Sequence, residues 1–582
     1  MRSLTPSVTS RASCAPRFRP SRFRRWLRTA LLAVIVVGSP GQAANEGSLA
    51  AVDDATDRTV GYSPLAEIDR GSVARLRLAW SQEIASAGTF RGGVAADGGR
   101  LYVATSGVAM AIEGATGERV WTVDVSTQDE EASVSADDVA RSPLVWGDLL
   151  LLAQAGEVVA VHRDDGSPAW RTDVRSGPFA ERIGAHPTYT GEAVVVGTTP
   201  VHPAPVSGRL VGLDPRDGSI RWSMRTVPDD PSDPAFGSWS PLEPTWSHGI
   251  GGGGVVNAGA YDPTTGVVVF ATGAPFPEDR SDERRANSGT ASADLRTSAF
   301  VAVDAATGEP RWTHQVVPGD EWSYGQIARP IVGVHADDPT RSVVHVATTT
   351  GWMLTLDAAD GAVLRHDRLA PESTVHVGYD EDGRPLIAEE MRGLHERTAV
   401  RTCPKGGWVG LAPAAVHPEL GLTYRPNETA CSQFGIRSPV EGEDAGPDPI
   451  WLSSAPRRAG DHYERWGALT AIDPRTGEVR WEFATPYPHD SGVLATGGGL
   501  VFSAFADRTF RAFDAATGEV LWRQVLTAHS DATPATYLAE GRQYVVIAVG
   551  HRTGRSAMPS AGLPSSVPGS IALFAFTLEP AR

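Results

Sequence analysis

One lysine, Lys405, stands in the whole chain, and every other basic residue is arginine. We read this as compositional bias. Three cysteines are present and none lies in a Cys-x-x-Cys-His motif, which excludes an attached c-type haem. No apolar run reaches the roughly 18 residues that a membrane-spanning helix needs. There is no Gly-x-Ser-x-Gly elbow and no His-Glu-x-x-His pair, so two common hydrolase signatures are absent. Gly251 to Gly254 are not followed by Lys-Ser/Thr, so they do not form a phosphate cradle; close backbone approach explains them better. A formal charge of −17 argues against non-specific binding to nucleic acid, whose phosphates select basic surfaces.

What is abundant is glycine and proline, 62 and 43 in 582 residues, about 18% where ordinary usage gives roughly 12%. Each in a helix interior costs about 1 to 3 kcal/mol, so long helical bundles are excluded. The 41% hydrophobic share supplies large cores, and 21% charged residues argues against disorder.

The first residues have their own character. Eight arginines and no acid lie within residues 2 to 28, followed by the apolar run Thr29 to Gly38 and the small residues SPGQAA. A basic region, a short apolar stretch and small residues describe a secretory signal peptide, cut after Ala43. An uncleaved N-terminal anchor is the alternative. Removing residues 1–43 leaves 44 basic against 69 acidic residues, a net of −25. The expected location is periplasmic or secreted, with no membrane span after cleavage. Cleavage also removes Cys14 and leaves Cys403 and Cys431, an even pair in an oxidising compartment. Two isolated cysteines make a poor zinc site. A disulfide is expected, worth about 3 kcal/mol in the chain-entropy model.

The strongest signal is a repeat. AVDAATGEPRW at 302–312, AIDPRTGEVRW at 471–481 and AFDAATGEVLW at 512–522 share one pattern. GLDPRDGSIRW at 212–222 and AIEGATGERVW at 111–121 are close relatives, AVHRDDGSPAW at 160–170 is looser, and TLDAADGAVLR at 355–365 ends in Arg where Trp is expected. In each unit an apolar strand meets a turn-forming Asp, a Gly supplies positive φ, and the chain returns as a strand. Val-rich runs of strand length precede the units. Most intervals between unit ends are near 41–53 residues, the length of a four-stranded propeller blade. The interval of 116 between 365 and 481 is expected to hide a further blade around the cysteine pair. LRLAW at 76–80 and IALFAF at 571–576 read as terminal pieces that close the ring. The expected fold is all-β, a single eight-bladed β-propeller over 62–577, with an N-terminal extension at 44–61 and a tail at 578–582. Its tryptophans fill space between blades.

These units resemble the Trp-docking repeats of the quinoprotein alcohol dehydrogenases, the methanol-dehydrogenase-like family. YSPLAEIDRGSVARLRL at 62–78, the glycine run 251–254 with AYDPTTGVVVFATG, and Gly319-Asp320-Glu321-Trp322 are similar to further family segments, and the cysteine pair is similar in placement to a family disulfide. The resemblance implies pyrroloquinoline quinone (PQQ) at the ring centre, with a Ca²⁺ or lanthanide ion as Lewis acid and an Asp that takes the alcohol proton. Carried over by motif, the catalytic Asp falls on Ser323, the metal-binding Asn on Ala274 and the metal-binding Glu near His202. The vicinal cysteines fall at about Ser135-Ala136, the stacking Trp near Val256, and the Lys or Arg that donates to the quinone near Thr349. Arg141, which would meet a cofactor carboxylate, is the one match.

Hard cations need oxygen ligands, and a serine hydroxyl is a weak base at neutral pH. The departures favour a divergent exported propeller that binds a small molecule or envelope protein, with no assigned cofactor or metal. The alternative is a PQQ- and Ca²⁺-dependent dehydrogenase of alcohols or sugars with an atypical site, in which Asp320, Glu321 or Ser323 are the candidate bases. His186 and His202 with Asp320 or Glu321 would make a different metal site; packing roles are the competing reading. A scaffold like the outer-membrane assembly lipoprotein is a third reading, but no lipobox cysteine follows the signal.

Overall fold

A computed structural model describes residues 61–579 except 86–89, 91, 106, 127–141, 177–180, 201–205, 240–250, 277–293, 392–399, 405–411, 430, 437–449, 454–466 and 551–569. Among the described residues no helix is long and apolar enough to cross a membrane.

Eight antiparallel sheets of four main strands follow one another along the chain. In the order of their first repeat residues they run from blade 1 (Ala95–Asp97 to Arg119–Asp124) and blade 2 (Leu144–Trp146 to Pro168–Asp173) to blade 3 (Thr188–Tyr189 to Ile220–Arg225) and blade 4 (Ala260–Asp262 to Pro310–Gln315). Blade 5 (Ile331–Val334 to Val363–Arg368), blade 6 (Ala415–His417 to Glu478–Thr485) and blade 7 (Val493–Thr496 to Val520–Val525) complete the simple units. Blade 8 joins the two ends of the propeller. Its strands Ala535–Ala539, Arg542–Val549 and Ile571–Leu578 are completed at the outer edge by Leu76–Ala85. Tyr62–Ser63 adds a short parallel strand to blade 7 and strengthens the closure.

The repeat explains the seams. Each terminal Trp donates its indole N–H to a backbone carbonyl of the next blade: Trp80 to Gly114 (2.7 Å), Trp121 to Arg163 (3.0 Å), Trp170 to Pro215 (3.1 Å), Trp222 to Ala305 (3.2 Å), Trp312 to Ala358 (2.9 Å) and Trp481 to Ala515 (3.0 Å). Trp522 closes the ring on the Leu76 carbonyl (3.3 Å). Six of these rings, all but that of Trp522, lie against the repeat glycine of the neighbouring blade. At Gly218 a Cβ would stand 2.4 Å from Trp170, and its φ of +73° adds a second reason for glycine. Arg365 takes the Trp place in blade 5 and reaches the Thr476 carbonyl of blade 6, so this seam has no indole.

The eighth blade is not where the 116-residue interval suggested. That interval holds a hairpin (His376–Tyr379 with Pro385–Ile387), blade 6 itself, and a three-stranded sheet (Val400–Thr402, Ser432–Ile436, Ile450–Ser453). The sheet is an insertion around and within blade 6, and the missing unit is the composite blade 8, whose Trp80 sits at the other end of the sequence. The spacing count failed because ring closure splits one repeat between both ends of the chain.

The Cys403–Cys431 disulfide forms as expected, at the end of the Val400–Thr402 pairing, across a separation of 28 residues. It spans the first two strands of blade 6. Reducing it, or replacing both cysteines by serine, is expected to lower unfolding free energy by about 3 kcal/mol. A urea midpoint that does not move on reduction would contradict that.

Candidate functional site

Four of the positions carried over from the resemblance meet on one hydrogen-bonded wall. The Gly273 N–H donates to the Gly254 carbonyl (2.8 Å), joining the glycine run before Val256 to the segment holding Ala274. The Gln326 N–H donates to the Thr272 carbonyl (2.8 Å), which brings the Ser323 segment alongside. A Cβ on Gly325 would stand 2.4 Å from the Ala274 nitrogen, so only glycine permits this approach. Thr349 completes the wall: its hydroxyl donates to the Tyr324 carbonyl (2.9 Å) and accepts from the Gln326 amide (2.9 Å).

Gln326 was not singled out from the sequence, yet it organises the wall. It is fully buried, donates to the Tyr324 carbonyl (2.7 Å) and accepts from the Thr349 N–H (3.1 Å). No repeat or motif marks it, and only its position after Trp-Ser-Tyr-Gly could have drawn notice. Tyr324 was missed as well. Its phenol donates to the Pro404 carbonyl (3.0 Å) and ties the disulfide-bearing insertion to the wall. Burial raises the Tyr324 phenol far above its ordinary range, so it stays a neutral donor.

The candidate bases separate in role. Asp320 is fully buried; its carboxylate accepts from the Ser298 hydroxyl (2.6 Å) and from the Trp322 N–H (2.9 Å). These contacts make it a staple between two segments of the wall. Glu321 is buried beside it. Ser323 is half-buried and left-handed at φ +59°, and the preceding wall segment holds Asp294 (+57°), Arg296 (+70°) and Ser298 (+45°) in the same region. Four such residues close together store backbone strain, which clusters at functional sites. His186 accepts the Ser142 N–H on Nδ1 (2.8 Å), so that nitrogen holds the segment following Arg141. Among the described residues the one compact set of three metal-ligand side chains is Glu372 with Cys403 and Cys431, whose sulfurs are bonded to each other. The alternative metal site of His186 and His202 with Asp320 or Glu321 includes His202, which lies outside the described residues. Arg141, His202 and Ser135-Ala136 lie outside the described residues.

The donor set at the described positions does not fit a Ca²⁺ or lanthanide ion held as in the resembled family. Ala274 offers no side-chain oxygen, Ser323 offers a neutral hydroxyl, and hard cations are held by carboxylate and amide oxygens. At Thr349 the hydroxyl is already engaged by Tyr324 and Gln326.

An eight-bladed ring closed by tryptophan docking, with a glycine-lined wall at one set of strand ends, defines a quinoprotein-type propeller. The family profile for the PQQ β-propeller domain of glucose/ethanol/alcohol dehydrogenases matches residues 53–378 and 462–545, and the chain belongs to this family. It is 28% identical over 519 residues to the quinohemoprotein alcohol dehydrogenase of Comamonas testosteroni, covering 84% of this chain and 71% of that protein. The quinohemoprotein alcohol dehydrogenase ADH-IIG of Pseudomonas putida is 28% identical over 517 residues, covering 84% and 70%. The crystal structure of the Comamonas testosteroni enzyme superposes with a TM-score of 0.77 at 25% identity, over 90% of this chain and 79% of that one.

Proposed function

We propose that this chain is an exported oxidoreductase of the quinoprotein dehydrogenase class, acting on the CH–OH group of an alcohol or sugar through a centre that departs from the family pattern. The observation that supports this most is the reach of the similarity, which covers 84% of the chain, with the family match over 53–378 including the wall segments. The relatives are named as alcohol dehydrogenases, and the retained wall architecture favours the same class of ligand here. Ala274 and Ser323 do not supply the oxygen ligands that a hard cation needs. What this chain's own residues do is hold the wall: Gln326 and Thr349 fix the Tyr324 segment, and Asp320 fixes the turn that presents Ser323.

A second reading is favoured by the same two residues. Without a carboxylate at 323 and an amide at 274, the propeller would serve as a binding protein for a small molecule or an envelope partner. Mixing the purified chain with PQQ and Ca²⁺ separates the two. The oxidoreductase reading expects stoichiometric quinone uptake, visible by absorbance, and measurable dye-linked oxidation of primary alcohols. No uptake and no oxidation would overturn it in favour of the binding protein.

A further inference from the structure

The hairpin that follows blade 5, His376–Tyr379 paired with Pro385–Ile387, belongs to no blade. Its first residue, His376, is fully buried. The ring Nε2 lies 2.9 Å from the Gly378 carbonyl, and Nδ1 lies 3.0 Å from the Thr350 hydroxyl. A carbonyl oxygen only accepts, so Nε2 carries the proton. Burial keeps the ring neutral, which leaves Nδ1 as an acceptor.

That tautomer fixes the direction of every bond behind it. Thr350 donates its single hydroxyl hydrogen to Nδ1. Its oxygen then accepts from the Thr348 hydroxyl (2.9 Å). The Thr348 oxygen in turn accepts the Trp352 N–H (2.9 Å). Trp352 also returns to the hairpin, donating its indole N–H to the His376 carbonyl (3.1 Å). Turn and hairpin are held in one closed circuit, in which the His376 ring is the terminal acceptor.

Thr349 stands between the two threonines of this circuit and belongs to the wall. Its N–H donates to the Gln326 side-chain oxygen (3.1 Å), and its hydroxyl joins the Tyr324 carbonyl to the Gln326 amide. Thr348, Thr350 and Gln326 are fully buried and Thr349 is 1% exposed, so bulk water does not replace a lost partner. A shift of Thr350 passes to Thr349 through one planar peptide bond. We propose that His376 is a positioning residue of the wall: its Nδ1 sets Thr350, and through it the place of Thr349, Gln326 and the Tyr324 segment. That this wall meets the ligand rests on the oxidoreductase reading; the coupling itself does not.

Deuterium uptake by the full chain, read by mass spectrometry, tests the coupling at the Gln326 and Thr349 amides, which donate to the Thr272 carbonyl and to the Gln326 side chain. His376→Gln puts no acceptor where Nδ1 stands and is expected to speed exchange in the wall peptides by on the order of 10-fold. His376→Asn places its amide oxygen there and is expected to exchange within about twofold of wild type. Both variants lose the imidazole that lies 4.6 Å from Tyr379 and 5.3 Å from Trp352, so ring packing alone would move them equally. Thr350→Val breaks the same link from the other side, keeps the imidazole and is expected to match His376→Gln. PQQ is the probe of the site: its apparent affinity, read by absorbance, is expected to fall about 10-fold in His376→Gln and to hold in His376→Asn. A wild type that takes up no PQQ overturns the oxidoreductase reading alone, and the exchange rates still decide the coupling. Four outcomes would overturn the proposal: wall exchange unchanged in both His376→Gln and Thr350→Val, equal acceleration in His376→Gln and His376→Asn, an acceleration as large in strands Arg100–Thr105 and Val108–Glu113 of blade 1 as in the wall, or loss of folding in both His376→Gln and Thr350→Val.

Discussion

Between pH 6.5 and pH 4 the fold is expected to lose on the order of 10 kcal/mol of stability, enough to unfold it. Four buried histidines cause this. Burial lowers His314, His345 and His489 to about 4 and His376 to about 3, against an ordinary value of 6.5. All four are less than one-tenth exposed. Their rings are neutral in the fold: His376 is held between the Thr350 hydroxyl (3.0 Å) and the Gly378 carbonyl (2.9 Å), and His489 is stacked on Phe505 at 4.3 Å. The unfolded chain takes up protons as pH falls through 6.5, whereas the folded chain does so only near 4. Stability is therefore complete above 6.5 and falls in that window, by about 1.4 kcal/mol for each histidine and pH unit. The carboxylates act lower. Asp214, held by Arg216 and Arg221, lies well below the usual carboxylate range, so its stabilisation is lost only in stronger acid. Urea midpoints at pH 7.5, 6 and 5 measure the effect. A midpoint constant from 7.5 to 5 would show that these histidines are not buried as neutral rings.

Much of the fold was legible because the repeat carries its own packing instruction. Gly218 is glycine for its turn and for Trp170 of the preceding blade, and because turn and Trp recur together in most units the pattern shows in sequence, as DGS…W here and TGE…W elsewhere. The two terminal pieces at 76–80 and 571–576 were legible as ring-closing strands and do pair, but they were not counted as a blade because the outer strand Leu76–Ala85 precedes blade 1 and its partner lies at the far end of the chain. The same limit applies to the wall. Asp320, Ser323, Ala274 and Thr349 could be found by motif, but their adjacency depends on Gly325 meeting Ala274 and on Gln326, which no local pattern marks. The Arg365 departure in blade 5 was visible in the sequence. Its meaning was not, since its contact, the Thr476 carbonyl, lies in another blade. The residues at 274 and 323 favour a binding protein; the 84% of the chain that is similar to a named alcohol dehydrogenase favours an oxidoreductase.

Restoring the two missing donors is the sharpest test of that balance. Ser323→Asp with Ala274→Asn is expected to raise dye-linked alcohol oxidation of the PQQ-supplemented chain by about 10²- to 10⁴-fold, the range a positioned general base supplies. The backbone at 323 favours the change, since Asp tolerates the left-handed region better than most residues and Ser323 already occupies it at φ +59°. Ala274 lies half-buried beside Gly325, so the added amide enters the wall directly. A carboxylate and an amide oxygen together supply hard-cation ligands, so Ca²⁺ or La³⁺ should raise the melting temperature of the double variant and not that of wild type. That second measurement does not depend on turnover. Ser323→Asp alone should gain less, because it brings a base without the second ligand. A metal-dependent rise in stability without turnover would mean that the wall can hold an ion while the quinone site is lost, and would favour the binding-protein reading. A wild type already as fast as the double variant would remove Ser323 as the limiting feature and place the base elsewhere in the ring.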